Sequence, residues 1–235
     1  MNFLRSNTYL NAFTELFFPR ICYVCGAHLF SSEQEVCRRC LRKLPRTGFE
    51  LVDDNPVSQI FWGRVKLEKA TSLYYYRKGE ILQQLVHRLK YKGNYQMGQV
   101  LGVQMGNVLT QAGFMVDIDM IIPVPLHEKR LRQRGYNQSD HIAIGLSKAS
   151  GIEVVKNRLV RTVHTESQTH KGRFERWENV DNIFSVVNPE LLNGKHILII
   201  DDVVTTGATM EACVQPLLQN GIAKVSIATV GYANY

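Results

Sequence analysis

Little in this 235-residue sequence could cross a bilayer or call for an oxidising compartment. No window approaches the ~18 uninterrupted apolar residues of a transmembrane helix. The opening run MNFLRSNTYLNAFTELFFPR is apolar but broken by Asn7, Asn11 and Glu15. It has neither the apolar core nor the small-residue cleavage site of a secretory leader. A cytoplasmic protein is the expectation. Internal repeats and low-complexity tracts are absent. Cysteine is scarce, with five in all, and a chain this long buries enough surface to fold without disulfides. What is present is ordinary for a globular protein. Apolar residues make up 45% and charged residues 21%, which fits one domain, or one plus a small appendage.

The net charge is +7, from 28 basic and 21 acidic side chains. The excess sits in two blocks, residues 1–46 and 127–180, whereas 181–235 is net negative. Such blocks fit contacts with phosphates or a nucleic-acid backbone, and equally fit a solubilising surface.

Four of the five cysteines form two C-x-x-C turns, Cys22 with Cys25 and Cys37 with Cys40. Each turn aims two thiolates at one point, and together they supply the four sulfur ligands of a tetrahedral zinc. Gly26 suits the tight turn of such a knuckle. With every position filled by sulfur, the expected site is structural and closed. A redox dithiol or a disulfide pair is the alternative, but the thioredoxin-like setting of a redox C-x-x-C is missing. His28 is a possible substitute ligand. Cys213 reads as a small core residue of a helix.

Phe3, Leu10, Phe13 and Phe17 recur at roughly helical spacing before Pro19. Residues 41–68, rich in Pro, Gly, Asp and Asn, read as an irregular linker. From Ala70 the chain alternates strands and helices, the pattern of a parallel sheet flanked by helices. Gly98, Gly102 and Gly106, four apart on one helix, would let a neighbouring backbone approach closely.

The most informative string is Ile197 to Thr209, ILIIDDVVTTGAT. An apolar strand ends in Asp201 and Asp202, a small-residue loop follows, and a helix begins at once. Unpaired amides and the positive end of the dipole make a helix start an anion site. Thr205, Thr206 and Thr209 add hydroxyls, and Gly207 lets the backbone close round a phosphate. The two acids would repel phosphate directly, so they suit sugar hydroxyls or a magnesium ion. The segment is neither a Walker loop nor G-x-G-x-x-G, and does not point to ATP or NAD.

DDVVTTGAT resembles the phosphoribosyl-pyrophosphate (PRPP) signature of type I phosphoribosyltransferases. Nearly the whole chain resembles the ComF/GntX, or competence protein F, family. The likeness is carried by the amino-terminal P-R-x-C-x-x-C-G knuckle, LKYKGN, PVPLHEKRLRQRGYNQ, RTVHTESQTHKGRFERWENV and the PRPP loop. It implies an α/β fold: a type I phosphoribosyltransferase-like open parallel sheet flanked by helices, with a small four-cysteine zinc knuckle. The implied organisation is a helix and knuckle over 1–46, a linker over 47–68 and the transferase-like domain over 69–235. Residues 69–115 would form a hood. Asp201 and Asp202 would hold ribose hydroxyls and magnesium, and Thr205, Thr206, Gly207, Ala208 and Thr209 would cradle the 5-phosphate. Lys129, Arg130, Arg132 and Arg134 would take the pyrophosphate, unless they form only a basic solvated helix end. His164, Gln168, Lys171 and Arg173 lie where the mobile catalytic loop belongs, and Tyr91 and Lys92 where a hood meets a base.

Two functions follow from the resemblance. One is pentosyl transfer from PRPP to a nitrogen acceptor, as in nucleotide salvage. The other is handling of single-stranded DNA in natural transformation, through the knuckle and the basic residues Arg38, Arg39, Arg42, Lys43 and Arg46. There PRPP is either substrate or signal. A glutamine amidotransferase is not expected, because the Met1-Asn2 start and the short length leave no glutaminase domain.

Overall fold

The computed structural model describes residues 19–161 and 183–233. The chain divides into two compact units, Met1–Leu44 and Pro45–Tyr235. In the first, a tight turn at Cys22–Ala27 is closed by the Cys22 amide on the Ala27 carbonyl and the Gly26 amide on the Cys22 carbonyl, both at 2.8 Å. Gly26 takes the left-handed conformation this turn needs, with φ 71°. A short helix, α1 (Arg38–Arg42), starts at Cys37. The expected helix over residues 3–18 lies outside the described residues.

In the second unit the elements run α2 (Pro56–Gln59), β1 (Ala70–Tyr75), α3 (Ile81–Tyr91), α4 (Tyr95–Gln111), β2 (Met120–Pro123), α5 (Glu128–Arg134), α6 (Gln138–Ser150), β3 (Glu153–Val154), β4 (Leu159–Arg161), β5 (Phe184–Val186), β6 (His196–Val204), α7 (Ala208–Gln219) and β7 (Lys224–Tyr232). The main sheet has the order β1-β7-β6-β2-β3, and every pairing in it is parallel. This is the α/β architecture the alternation implies. β4 and β5 form a separate antiparallel pair. Strands β6 and β7 are buried almost throughout, as expected of a sheet covered on both faces. One face packs α7, with Met210, Cys213, Val214 and Leu217 in the same core as Ile197 and Ile199. Against β2 and β6 lies α6, which in turn packs on α4.

The α4–α6 contact uses the glycine stripe. A Cβ on Gly102 would lie 2.1 Å from the Ile142 carbonyl oxygen, and one on Gly145 would lie 2.2 Å from that of Gln99. Two backbones meet there with no room for a side chain.

Residues 47–68, expected to form a linker, pack onto the domain instead. Phe49, Val57 and Phe61 belong to its core. The buried Asn55 side chain donates to the carbonyls of Val52 and Ala70, both at 2.8 Å, and to that of Phe49 at 3.3 Å. Its oxygen caps α2 by accepting from the amides of Val57 and Ser58. Composition missed this because polar turn-formers also serve as buried caps.

Candidate functional site: the crevice above β2 and β6

β2 and β6 are neighbours whose connections leave in opposite directions, β2 through α5 and α6 to β3, and β6 through α7 to β7. This is the switch point of an open α/β sheet, where ligands bind beyond the carboxyl ends of the strands. The twin aspartates sit here, near the end of β6. Successive strand residues face opposite sides, and the two are engaged differently. Asp201 Oδ1 accepts from the Ser139 hydroxyl at 2.7 Å and from the Asp202 amide at 2.8 Å. Burial and the neighbouring charge of Asp202 push its carboxyl up to about 7. Asp202 is 3% exposed, and its Oδ1 lies 2.9 Å from the Lys90 ammonium. Its Oδ2 is buried without a hydrogen-bond partner among the described residues.

The bend that follows is open. Thr205, Thr206, Ala208 and Thr209 are exposed. Helix α7 starts at Gly207 with no side-chain cap, and among the described residues no acceptor is bonded to the amides of Thr205 to Thr209. Gly207 has φ 76°, and a Cβ there would come within 2.6 Å of Ile60 Cγ2 and 2.9 Å of the Phe61 ring. Both facts require glycine. The bend is propped from behind by Arg64, which donates to the Thr206 carbonyl at 2.8 Å and pairs with Glu211.

Of the basic quartet, Arg134 alone is tied to the residues around Asp202. Its guanidinium lies 5.2 Å from the centre of the Tyr91 ring and donates to Gln138 at 2.8 Å. Lys129, Arg130 and Arg132 are exposed on α5, and Arg132 pairs with Glu128. This segment is a helix capped by His127, with Arg132 and Arg134 in its last turn. Next to it, Asn137 caps α6 and donates to the Val124 carbonyl at 2.9 Å, fixing the turn that presents Ser139.

Sequence reasoning singled out Tyr91 and Lys92 but passed over Lys90, Arg64 and Ser139. A lysine near a helix end carries no local sign of an aspartate more than a hundred residues away. Lys171 and Arg173, with His164 and Gln168, lie outside the described residues.

In the first unit, the sulfurs of Cys22, Cys25, Cys37 and Cys40 all lie within 4.8 Å of one another, a group able to hold a metal ion. His28 is not part of it. The Cys37 amide donates to Cys22 Sγ at 3.3 Å. Burial opposes ionisation of Cys22, but amide bonds from Cys37, Cys25 and Val24 outweigh it and bring the thiol down to about 7. Burial and the neighbouring sulfurs raise Cys40. A cation shared among the four sulfurs would favour ionisation of them all. The Glu33 carboxylate accepts from the amides of Arg38 at 2.7 Å and Phe30 at 2.9 Å, which hold it below the usual range. Among the described residues no helix is long and apolar enough to cross a membrane.

Residues 134–234 match the phosphoribosyl transferase domain. The chain is similar to the DNA utilization protein YhgH of Salmonella typhimurium, at 28% identity over 220 residues, covering 89% of this chain and 95% of that one. The competence protein ComFC of Bacillus subtilis is 25% identical over 208 residues, 87% of this chain and 80% of that one. Competence protein F of Haemophilus influenzae is 28% identical over 152 residues, 63% of this chain and 66% of that one.

Proposed function

We propose, since the chain belongs to the ComF family of phosphoribosyltransferase-like proteins, that it binds PRPP with magnesium above β2 and β6 and serves natural transformation in the cytoplasm. One observation carries the reading: an exposed Thr-Gly bend with unengaged helix-start amides, set beside two acids at the sheet's switch point. The amides and hydroxyls of 205–209 receive the 5-phosphate. Asp201 and Asp202 supply the acceptors for the ribose hydroxyls, and the buried, unpartnered Asp202 Oδ2 is suited to one of them. Arg134, held against Tyr91, meets the diphosphate with a fork of donors.

Hard carboxylate oxygens and an orphaned buried Oδ2 fit magnesium as well, with Asp201 and Asp202 as its holders. When bound, that ion supplies charge neutralisation to the departing diphosphate. The reaction is displacement at ribose C1: the bond to the pyrophosphate oxygen breaks and a bond to an acceptor nitrogen forms. Positive charge grows on the ribose, near the aspartates, and negative charge on the diphosphate, near Arg134. Calorimetric titration with PRPP and magnesium should show saturable binding, weakened at least about tenfold in Asp202→Asn. Absence of binding by the wild-type chain would remove the reading.

The relatives' names, and the knuckle, favour a DNA-handling role as well. Phe30 is 76% exposed and Tyr23 is 41% exposed in the same unit as Arg38, Arg39, Arg42 and Lys43. Exposed rings among cations form a sequence-tolerant platform for single strands. Arg46 does not join them, because it is paired with Glu50 in the second unit. Zinc is the ion proposed for the four cysteines. Affinity for a single-stranded oligonucleotide should fall steeply with salt and drop in Phe30→Ala with Arg38→Ala. An affinity indifferent to both would take the knuckle out of DNA binding.

A further inference from the structure

We propose that Lys90 is the built-in counter-cation of Asp202, and that it keeps free divalent metal off the aspartate pair, so that magnesium enters only together with the phosphoribosyl ligand. The inference deepens the PRPP reading and rests on it.

The lysine ammonium stands 2.9 Å from Asp202 Oδ1, where a metal ligated by that carboxylate would otherwise compete. The pair is sheltered: the Asp202 side chain is 5% exposed and that of Lys90 is 25% exposed. Its geometry is fixed by the two residues that flank the lysine at the end of α3. The Leu89 carbonyl accepts from the Tyr136 hydroxyl, and the Tyr91 ring lies against the Arg134 guanidinium. Three consecutive residues thus anchor α3 to the crevice, and the middle one delivers a cation.

The charge balance gives the anchor its purpose. Two neighbouring carboxylates without a counter-charge attract any divalent ion in solution. The ammonium removes one of the two charges, and the Ser139 hydroxyl and the Asp202 amide already occupy Asp201 Oδ1. Magnesium gives up its water reluctantly and is held by carboxylates together with substrate phosphates. A pair neutralised in this way lacks the pull to bind it alone. Asp202 Oδ2 is buried and has no partner among the described residues, so it is left as an acceptor for a ribose hydroxyl. Lys90 is therefore a positioning residue: it holds Asp202 for the ligand and sets the order in which the metal arrives.

The test reads metal binding without PRPP. Manganese, followed by electron paramagnetic resonance, is titrated into the full zinc-loaded chain and into Lys90→Met, Lys90→Gln, Lys90→Arg, Asp202→Asn and Lys90→Met/Asp202→Asn, with thermal melts to establish folding. Lys90→Met and Lys90→Gln should bind manganese at least about tenfold more tightly than wild type. Lys90→Arg should match wild type, and adding Asp202→Asn should abolish the gain. A folded Lys90→Met or Lys90→Gln chain with wild-type manganese affinity overturns the proposal. So does a wild-type chain whose manganese binding is weakened by Asp202→Asn, and that comparison decides the matter even where the lysine variants fail to fold. Calorimetry of the wild type with PRPP and magnesium is run beside it. Loss of that signal alone sinks the PRPP reading, whereas an absent manganese gain beside intact PRPP binding sinks only the role of Lys90.

Discussion

Gly207 and Gly102 are both glycine for want of space, yet they guard different things. Gly207 sits in the left-handed region against Ile60 and Phe61, so it shapes the phosphate bend. Gly102 lets α4 and α6 touch backbone to backbone. Gly102→Ala should therefore cost about 3 kcal/mol or more of stability, read by urea unfolding, since the Cβ meets a carbonyl oxygen instead of a yielding side chain. A loss within experimental error would mean the helices separate easily. The glycine stripe was legible in the sequence because its spacing repeats. Lys90 and Arg64 were not, because their partners Asp202 and Thr206 become neighbours only once the sheet has formed.

Single elements carry the site unequally. Strands β6 and β7 were plain in the sequence as apolar runs, and α7 as the helix after the Thr-Gly bend. The helix α5 was weighed only as a basic solvated helix end, because EKRLRQR holds one apolar residue and so shows no buried face. The segment around α2 was also hidden, and its contribution can be measured. Replacing Asn55 by alanine takes the side-chain donor from the Val52 and Ala70 carbonyls and the cap from the Val57 and Ser58 amides. A loss of about 2–3 kcal/mol is expected. Because the Ile60–Arg64 turn props the bend, affinity for PRPP should fall in the same variant. Unchanged stability would show that water replaces every one of those bonds. The zinc proposed for the knuckle makes a separate prediction. Chelation at neutral pH should release zinc and unfold the cysteine unit, while the second unit, with its own core, keeps its strand signal in circular dichroism. A knuckle that keeps its fold without metal would contradict the zinc assignment.

At the scale of the whole molecule, the buried His196 and the half-buried His141 and Asp201 set opposing responses to pH. Burial holds His196 and His141 below the ordinary histidine value of 6.5. Below that value the unfolded chain takes up protons that the folded chain refuses, so stability falls as pH drops. Asp201 works the other way. With its carboxyl raised to about 7 against an ordinary 3.8, the folded chain gains a proton first, and stability rises as pH falls from about 7. Urea midpoints between pH 7.5 and 5.5 should therefore drop more steeply in Asp201→Asn than in wild type, and equal slopes would contradict this balance. The architecture that brings these groups together followed from sequence alternation alone, whereas the order of strands, and with it the crevice between β2 and β6, required the coordinates. The most direct measurement is backbone-amide NMR during titration with ribose 5-phosphate. The largest shifts should fall on Thr206 to Thr209 and vanish in Gly207→Ala. Shifts concentrated elsewhere, or none at saturating ligand, would contradict the claim that this bend receives the phosphate.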